Sequence, residues 1–174
     1  MSNLPGNRPE ATEYAPYYGA YISRVADGNI IETLGHQIES TVVLLHGLSD
    51  AQAKYRYAPE KWSIKEVVGH LIDSERVFGY RAMRFARNDQ TPLSGFEQND
   101  YVREGAFDEQ SLSDLASEFE HVRRANLHLL RGLKAEAWDR RGEANGNPVT
   151  VKALAYIIAG HELHHMDIVR TKYL

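Results

Sequence analysis

Helix formation is clearest in residues 63–78, SIKEVVGHLIDSERVF. Ser63 and Glu66 have the spacing of a capping box, in which each side chain accepts a hydrogen bond from a free backbone N–H at the start of a helix. Apolar side chains then recur at steps of three and four residues, the period of one helix face: Ile64, Val67, Val68, Leu71, Ile72 and Phe78. The pattern predicts a long amphipathic helix that begins after Ser63 and continues to about Arg87.

Three further segments show the same periodicity. One runs from about Asn29 to Leu48, a second begins at Ser111, and a third begins at Thr150, just after an Asn-Pro pair. Four amphipathic helices of about 20 residues, each about 30 Å long, predict a four-helix bundle. No stretch alternates polar and apolar residues convincingly, so we expect an all-α fold with little or no sheet.

The remaining segments shape the expected domain organisation. Residues 1–16 contain three prolines and predict an irregular N-terminal arm. Residues 88–110 are polar and predict a connection without regular structure, of a length that often contributes to a functional site. No internal repeat divides the chain, and its length suits a single core. We therefore expect one domain over residues 1–174.

Composition excludes several classes of function. The 174 residues carry a formal net charge of −4, which gives no attraction for a phosphate backbone, so we expect no nucleic-acid partner. The chain has no cysteine, so any metal would need His, Asp, Glu or water as ligands. No apolar run approaches the roughly 20 residues of a membrane span, and the first residues lack the pattern of a signal peptide. These features predict a soluble, cytoplasmic protein with no membrane partner.

The most informative residues form the run HELHH at 161–165. Continuing the apolar stripe of Leu154 and Ile158 by three and then four residues leads to His161 and His165, so both rings fall on the face that points into the bundle. At this spacing two imidazoles can bind one cation. A single inward histidine is more often a hydrogen-bonded core residue, but two on one stripe both need polar partners, which favours a metal site.

The same run matches the metalloprotease pattern H-E-x-x-H, with Glu162 as the general base. Such enzymes take a third ligand from further along the chain. One class has a histidine six residues beyond the second ligand, where this sequence has Thr171, and the residues after His165 offer no replacement. We therefore do not expect a protease.

A third ligand would then come from upstream, and His70 is the best placed. It lies one turn after Val67, at the margin of the apolar stripe. The neighbouring Gly69 costs about 1 kcal/mol of helix propensity relative to alanine, which indicates a close approach at this point. The other histidines lie off the apolar stripes, among charged neighbours, or rotated away from the pair: His36, His46, His121, His128 and His164.

The two motifs also carry a resemblance to a known family. Residues 61–75, KWSIKEVVGHLIDSE, followed by HELHH at 161–165, resemble the DinB-like superfamily, which includes YfiT-type metal-dependent hydrolases and the bacillithiol and mycothiol S-transferases. The segment FEQNDYV at 96–102 is similar to an acidic, aromatic-containing segment of that family. The resemblance covers most of the chain from the first helix onward. It implies an up-down-down-up four-helix bundle that binds a divalent metal through His70, His161 and His165.

Three neutral imidazoles leave positions open on a divalent ion, as in catalytic sites. Such an ion can activate water or a thiol, so we expect a metal-dependent hydrolase or a low-molecular-weight-thiol S-transferase acting on a small molecule. Zinc is the expected metal, while nickel, manganese and iron also suit imidazole ligands. The alternative is a non-catalytic metal-binding bundle with a stress-related binding or dimerisation role. A homodimer is compatible with the resemblance, and no general base is assigned.

Several charged residues near these motifs suit a solvated helix surface. Four carboxylates fit this environment better than a role in orienting ligand histidines: Asp73, Glu75, Glu162 and Asp167. Four arginines also suit a solvated face, with contact to an anionic substrate as the alternative: Arg76, Arg81, Arg84 and Arg87. Trp62 is expected to pack as a hydrophobic staple and not as a platform for substrate.

Overall fold

Four long helices form the body of the molecule. The computed structural model describes residues 7–174, so residues 1–6 of the expected arm lie outside the described residues. The α-helices are α1 (Gly19–Ile22), α2 (Ile30–His46), α3 (Asp50–Ala53), α4 (Ile64–Ala86), α5 (Gln98–Glu104), α6 (Leu112–Arg131) and α7 (Val151–Ile168). Shorter turns of 3₁₀ helix lie at Ala11–Glu13, Pro16–Tyr18, Phe107–Glu109 and Ala135–Ala137, and a π-helical turn follows α7 at Val169–Tyr173.

Each long helix begins at the polar residue that the sequence marks. The Ser63 hydroxyl accepts a hydrogen bond from the backbone N–H of Glu66 at 3.1 Å, and the Glu66 carboxylate accepts one from the N–H of Ser63 at 2.8 Å. Side chains of Asn29, Ser111 and Thr150 cap α2, α6 and α7. Because these side chains satisfy backbone donors that have no partner inside the helix, the predicted helix starts are confirmed to within about a residue.

The four long helices pack as a bundle. Helix α2 and helix α4 each pack against both α6 and α7, so α2 and α4 lie at diagonal corners. Buried apolar side chains fill the space between them in two clusters, one around Trp138 and the first half of α7, the other around Phe119. The predicted all-α four-helix bundle is confirmed. In residues 7–174, no helix combines the length and the apolar character needed to cross a membrane.

A short β-hairpin modifies the expectation of little or no sheet. Strands β1 (Arg141–Ala144) and β2 (Asn147–Thr150) pair antiparallel. Asn145 and Gly146 join them with φ of 51° and 70°, the left-handed conformation that a tight hairpin turn needs and that an Asn-Gly pair favours. The strands have only four residues each, too few for an alternating pattern to stand out.

The connection between α4 and α6 is more ordered than predicted, since it contains α5 and the turn at Phe107–Glu109. The hairpin holds its first part, because Leu93 donates a backbone hydrogen bond to Glu143 and accepts one from Asn145, both at 2.9 Å. Phe107 fixes the end of this connection by packing against Gly69 of α4. A Cβ on Gly69 would lie 2.3 Å from the Phe107 ring, so the glycine permits the close approach that the sequence indicates.

Candidate metal centre

Three histidine rings, which we call the histidine triad, meet between α4 and α7. Nε2 of His161 lies 3.0 Å from Nε2 of His70 and 3.1 Å from Nε2 of His165. One ring nitrogen from each residue lies within 4.8 Å of the other two. Nitrogens that bind one zinc ion tetrahedrally at about 2.0–2.1 Å are about 3.3 Å apart. The spacing of the triad therefore fits a shared ion.

Hydrogen bonds within the triad cannot satisfy all three nitrogens. A neutral imidazole has one N–H and one lone pair, so Nε2 of His161 can form at most one good hydrogen bond with its two neighbours. At the other contact the two nitrogens then face each other without a good hydrogen bond. A single cation among the rings would satisfy all three lone pairs at once.

Burial keeps the triad in the neutral form that binds metals. His70 and His161 are buried and His165 is half-buried. Burial lowers the pKa of His70 to about 4. Burial, reinforced by the neighbouring rings, lowers the pKa of His165 to about 3 and the pKa of His161 well below its ordinary value. Because protons compete with metal for the same lone pairs, these shifts leave the triad available to a cation at neutral pH.

Aromatic side chains enclose the triad. The Trp62 ring lies 4.9 Å from the ring of His70, and Tyr21 and Phe78 lie 5.4 Å and 5.9 Å from that of His161. Tyr21 comes this close because α7 has Gly160 there, where a Cβ would lie 2.1 Å from the Tyr21 backbone oxygen. Trp62 packs against buried apolar side chains, as expected of a staple, and also forms part of the wall beside the triad.

A cavity of about 240 Å³ opens beside His70 and His161. One wall is the face of α4 that carries Ser74 and Arg81, and the tyrosines of residues 17–21 form another. Residues 95–98 complete it, so the connection between α4 and α6 contributes to the candidate site. Gly95 packs closely on the hairpin turn here, because a Cβ on it would lie 2.5 Å from Oδ1 of Asn145.

The expectation of solvated carboxylates is wrong for Glu75 and Glu162. Both are buried against Arg123 in what we call the arginine–glutamate cluster. Glu75 accepts hydrogen bonds from Nε and Nη2 of Arg123 at 2.8 Å and 2.9 Å. Oε2 of Glu162 lies 2.8 Å from Nη1 of Arg123, an ion-pair contact without the alignment of a hydrogen bond. Oε1 of Glu162 accepts a hydrogen bond from the Thr41 hydroxyl at 2.7 Å.

The arginine–glutamate cluster leaves Glu162 no part in a protease-like site, because Arg123 and Thr41 hold its carboxylate. The other two carboxylates agree better with the expectation. Asp167 is exposed, and Asp73 is half-buried with a carboxylate oxygen 3.9 Å from Arg76.

The expected solvated arginine face is also wrong at one position. Arg76 and Arg87 are exposed, and Arg84 pairs with Asp89 at the surface side of α4. Arg81 is instead 4% exposed and lines the cavity beside the triad. Its position could have indicated this, because residues 70, 74, 78 and 81 are spaced by four, four and three along one helical stripe.

The remaining histidines do not join the triad. His164 is half-buried with its ring 5.0 Å from that of His165, and its nitrogens are outside the group that could hold an ion. The others are exposed on α2 and α6: His36, His46, His121 and His128. The structure thus brings together the three histidines selected from the sequence and separates them from the rest; their binding of a metal stays a prediction.

Comparison with known proteins identifies the architecture. The model of the DinB superfamily matches residues 33–169. The fold is similar to that of YfiT from Bacillus subtilis, described as a probable metal-dependent hydrolase with an unusual four-helix bundle topology. The TM-score is 0.69 over 97% of this chain and 95% of that one, at 16% sequence identity. No curated protein shows significant similarity to the chain. The predicted up-down-down-up bundle of this type is confirmed.

Proposed function

Because the chain belongs to the DinB superfamily, we propose that it is a metal-dependent enzyme acting on a small molecule, with His70, His161 and His165 holding one divalent ion. The observation that carries the proposal is the convergence of three neutral Nε2 atoms beside a cavity. Tyr17 and Glu97 line that cavity and are exposed, which gives a small molecule a route from solvent.

Each part of the site has a role in this proposal. A divalent ion on the triad would supply a Lewis acid that activates water or a low-molecular-weight thiol. His70 and His161 place the reacting centre at the wall of the cavity, and the rings of Tyr21 and Phe78 beside His161 limit its contact with bulk water. Because the chain has no cysteine, a thiol would have to enter as a cosubstrate. The proposed reaction is therefore hydrolysis or thiol transfer.

Several narrower proposals accompany this one. We take zinc as the metal, because three imidazoles with an open position are typical of catalytic zinc sites. We also retain one domain over residues 1–174 and a cytoplasmic location with no nucleic-acid partner, in line with the charge of −4. A homodimer is proposed from the resemblance to related bundles.

Metal analysis of purified protein tests the ligand set. The wild type is expected to hold about one zinc ion per chain after zinc loading and desalting. His161→Ala is expected to lose more than about 100-fold in zinc affinity, since loss of an outer partner of a ligand alone costs 10–100-fold. His121→Ala is the matched control, because His121 is exposed on α6. Equal zinc content in the wild type and His161→Ala would contradict the proposal.

Reaction with model substrates then separates the enzyme from a non-catalytic bundle. Zinc-loaded protein is incubated with a panel of esters and amides, and with an electrophile plus a low-molecular-weight thiol. Hydrolysis without thiol supports the hydrolase, and thiol-dependent consumption of the electrophile supports the transferase; His161→Ala should abolish either activity. Bound zinc that raises thermal stability without any turnover would favour the non-catalytic alternative.

A further inference from the structure

One stripe of α4 runs from the triad along the cavity. His70, Ser74 and Arg81 lie on this stripe, and all three line the cavity. The rise between residues 70 and 81 is about 16 Å along the helix axis. Long side chains on a helix point back toward its N-terminus, so the guanidinium of Arg81 lies nearer to the triad than its Cα does.

Arg81 differs from the other buried cations of residues 7–174 in having no anionic partner. Lys65 lies 2.9 Å from a carboxylate oxygen of Asp50, and Arg123 is held by two glutamates. No carboxylate oxygen of the described chain lies within 4.0 Å of Arg81, and residues 1–6 contain no Asp or Glu. A buried charge without a counter-charge is costly.

The contacts that Arg81 does make are to neutral groups. Its Nη2 donates a hydrogen bond to the backbone oxygen of Ser94 at 2.9 Å, and its guanidinium carbon lies 5.9 Å from the Phe78 ring centre. Arg81 also lies near the hydroxyl of Tyr18. Burial raises the pKa of that hydroxyl, and the positive charge of Arg81 opposes this rise. The Ser94 carbonyl accepts a hydrogen bond from one N–H of Arg81. Because a guanidinium has five N–H donors, donors remain for a ligand.

Ser74 supplies a second unsatisfied group in the same cavity. The residue is 1% exposed, and its Oγ has no hydrogen-bond partner among the described residues. Buried hydroxyls are nearly always paired. Ser74 lies between His70 and Arg81 on the stripe. The unpaired Ser74 hydroxyl, the Arg81 guanidinium without a counter-charge, and the triad members His70 and His161 therefore line one cavity.

From these observations we propose that the cavity binds an elongated substrate whose far end carries a carboxylate held by Arg81, while its reacting end lies at the triad. The inference rests on the proposed function, because it gives the substrate of the same centre a second anchor. Arg81 is the one Lys or Arg among the described residues that line the cavity. The exposed Glu97, which lines the cavity too, carries the opposite charge. A singly charged carboxylate suits this balance better than a doubly charged phosphate.

The test uses hydroxamates, which bind metal ions at one end and leave the other end free. Protein loaded with Co²⁺ is titrated with suberic acid monohydroxamate and with octanohydroxamate, which has the same chain without the carboxylate, and binding is followed by visible absorption. Wild type is expected to bind the carboxylate compound at least about tenfold more tightly, since the Arg81 guanidinium can donate charge-assisted hydrogen bonds to the carboxylate. Succinic acid monohydroxamate and butyrohydroxamate form a short pair that should show no such preference.

Arg81→Gln should reduce the preference of the long pair to less than about twofold while octanohydroxamate binds as in the wild type. Glutamine retains an amide donor for the Ser94 carbonyl, so the neutral compound reports whether the cavity remains intact; Arg81→Lys, which keeps the charge, should retain part of the preference. Equal binding of the long pair to the wild type, or the same preference in the short pair, would overturn the inference and leave the metal centre intact. Failure to bind Co²⁺ would instead contradict the proposed function.

Discussion

The histidine triad and the arginine–glutamate cluster both use α4 and α7, and the arginine–glutamate cluster also uses α6. His161 of the triad and Glu162 of the arginine–glutamate cluster are neighbours on α7. In the arginine–glutamate cluster the charges are complementary, and Arg123 donates two hydrogen bonds to Glu75 and forms an ion pair with Glu162. In the triad the three groups are alike, and each presents a nitrogen to the others. In the arginine–glutamate cluster a residue of opposite charge faces each glutamate, whereas in the triad no group of opposite charge faces the three nitrogens.

This difference separates a structural role from a binding role. A buried ion cluster whose members satisfy one another holds helices in register and needs no ligand. A buried group of lone pairs without enough donors is costly unless something positive enters. Both clusters are polar and buried, so burial alone does not identify a functional site; the balance of donors and acceptors does.

The largest expected effect comes from breaking the self-sufficient cluster. Arg123→Met would leave Glu75 and Glu162 buried without a counter-charge, and removing one partner of a buried pair costs about 3–5 kcal/mol. Urea denaturation should show this loss, while zinc content stays near one per chain. Arg124→Met is the matched control, since Arg124 makes a surface pair with Glu120 worth less than about 1 kcal/mol. Equal losses of free energy of unfolding in the two variants would show that the buried cluster contributes no more to stability than a surface ion pair does.

The triad should respond to metal where the arginine–glutamate cluster does not. Zinc that binds only the folded state at 100 times its Kd stabilises by about 2.7 kcal/mol. Thermal unfolding with zinc and then with excess chelator should show a reversible rise in Tm for the wild type and Arg124→Met. An equal rise in His161→Ala would place the bound zinc elsewhere on the protein.

Acid should destabilise the metal-free protein through the triad. His70 has a pKa of about 4 in the folded state against 6.5 for the free side chain, so between these values the unfolded state binds more protons. The free energy of unfolding is then highest above about pH 6.5 and decreases as the pH falls toward 4. His70 alone accounts for a loss of about 2 kcal/mol between pH 7 and 5. Urea denaturation in chelator at several pH values measures the slope, which His70→Gln should reduce. Stability that rises on acidification would contradict the neutral, buried triad.

The smallest effect is expected at His164, which adjoins the triad without belonging to it. Its ring is half-buried beside His165 and Tyr21, and its nitrogens lie outside the group that could hold an ion. His164→Ala should change the free energy of unfolding by less than about 1 kcal/mol and leave zinc content at the wild-type level. A loss of zinc comparable to that of His165→Ala would show that His164 also takes part in binding the ion.

The sequence predicts the bundle and the pair His161 and His165 because both depend on local periodicity, whereas His70 is selected by its place at the margin of the α4 stripe and by the family resemblance. Helix caps and apolar steps are visible in one stretch of chain, and the spacing of His161 and His165 fixes their common face on α7. The pairing of Arg123 with Glu75 and Glu162 depends on three helices, and each residue alone looks like an ordinary surface charge. For the same reason the charge of Arg81 predicts a solvated side chain, although its helical spacing from His70 indicates the inward face of α4.

Two local elements have weaker signals in the sequence. Asn145 and Gly146 form a hairpin turn that the Asn-Gly pair itself indicates, but the strands on either side are too short to stand out. The α5 helix has seven residues and lies in a polar segment where no apolar stripe develops. Both help to place the outer wall of the cavity, so the part of the candidate site least visible in the sequence is its opening.

X-ray absorption on the zinc-loaded protein shows directly whether His70, His161 and His165 bind the same ion. We expect one zinc ion per chain with three imidazole nitrogens at about 2.0–2.1 Å and at least one further light-atom ligand. The spectrum should be unchanged by His121→Ala. Fewer than three imidazoles at the bound zinc, or the same zinc coordination in His70→Ala, would contradict this expectation.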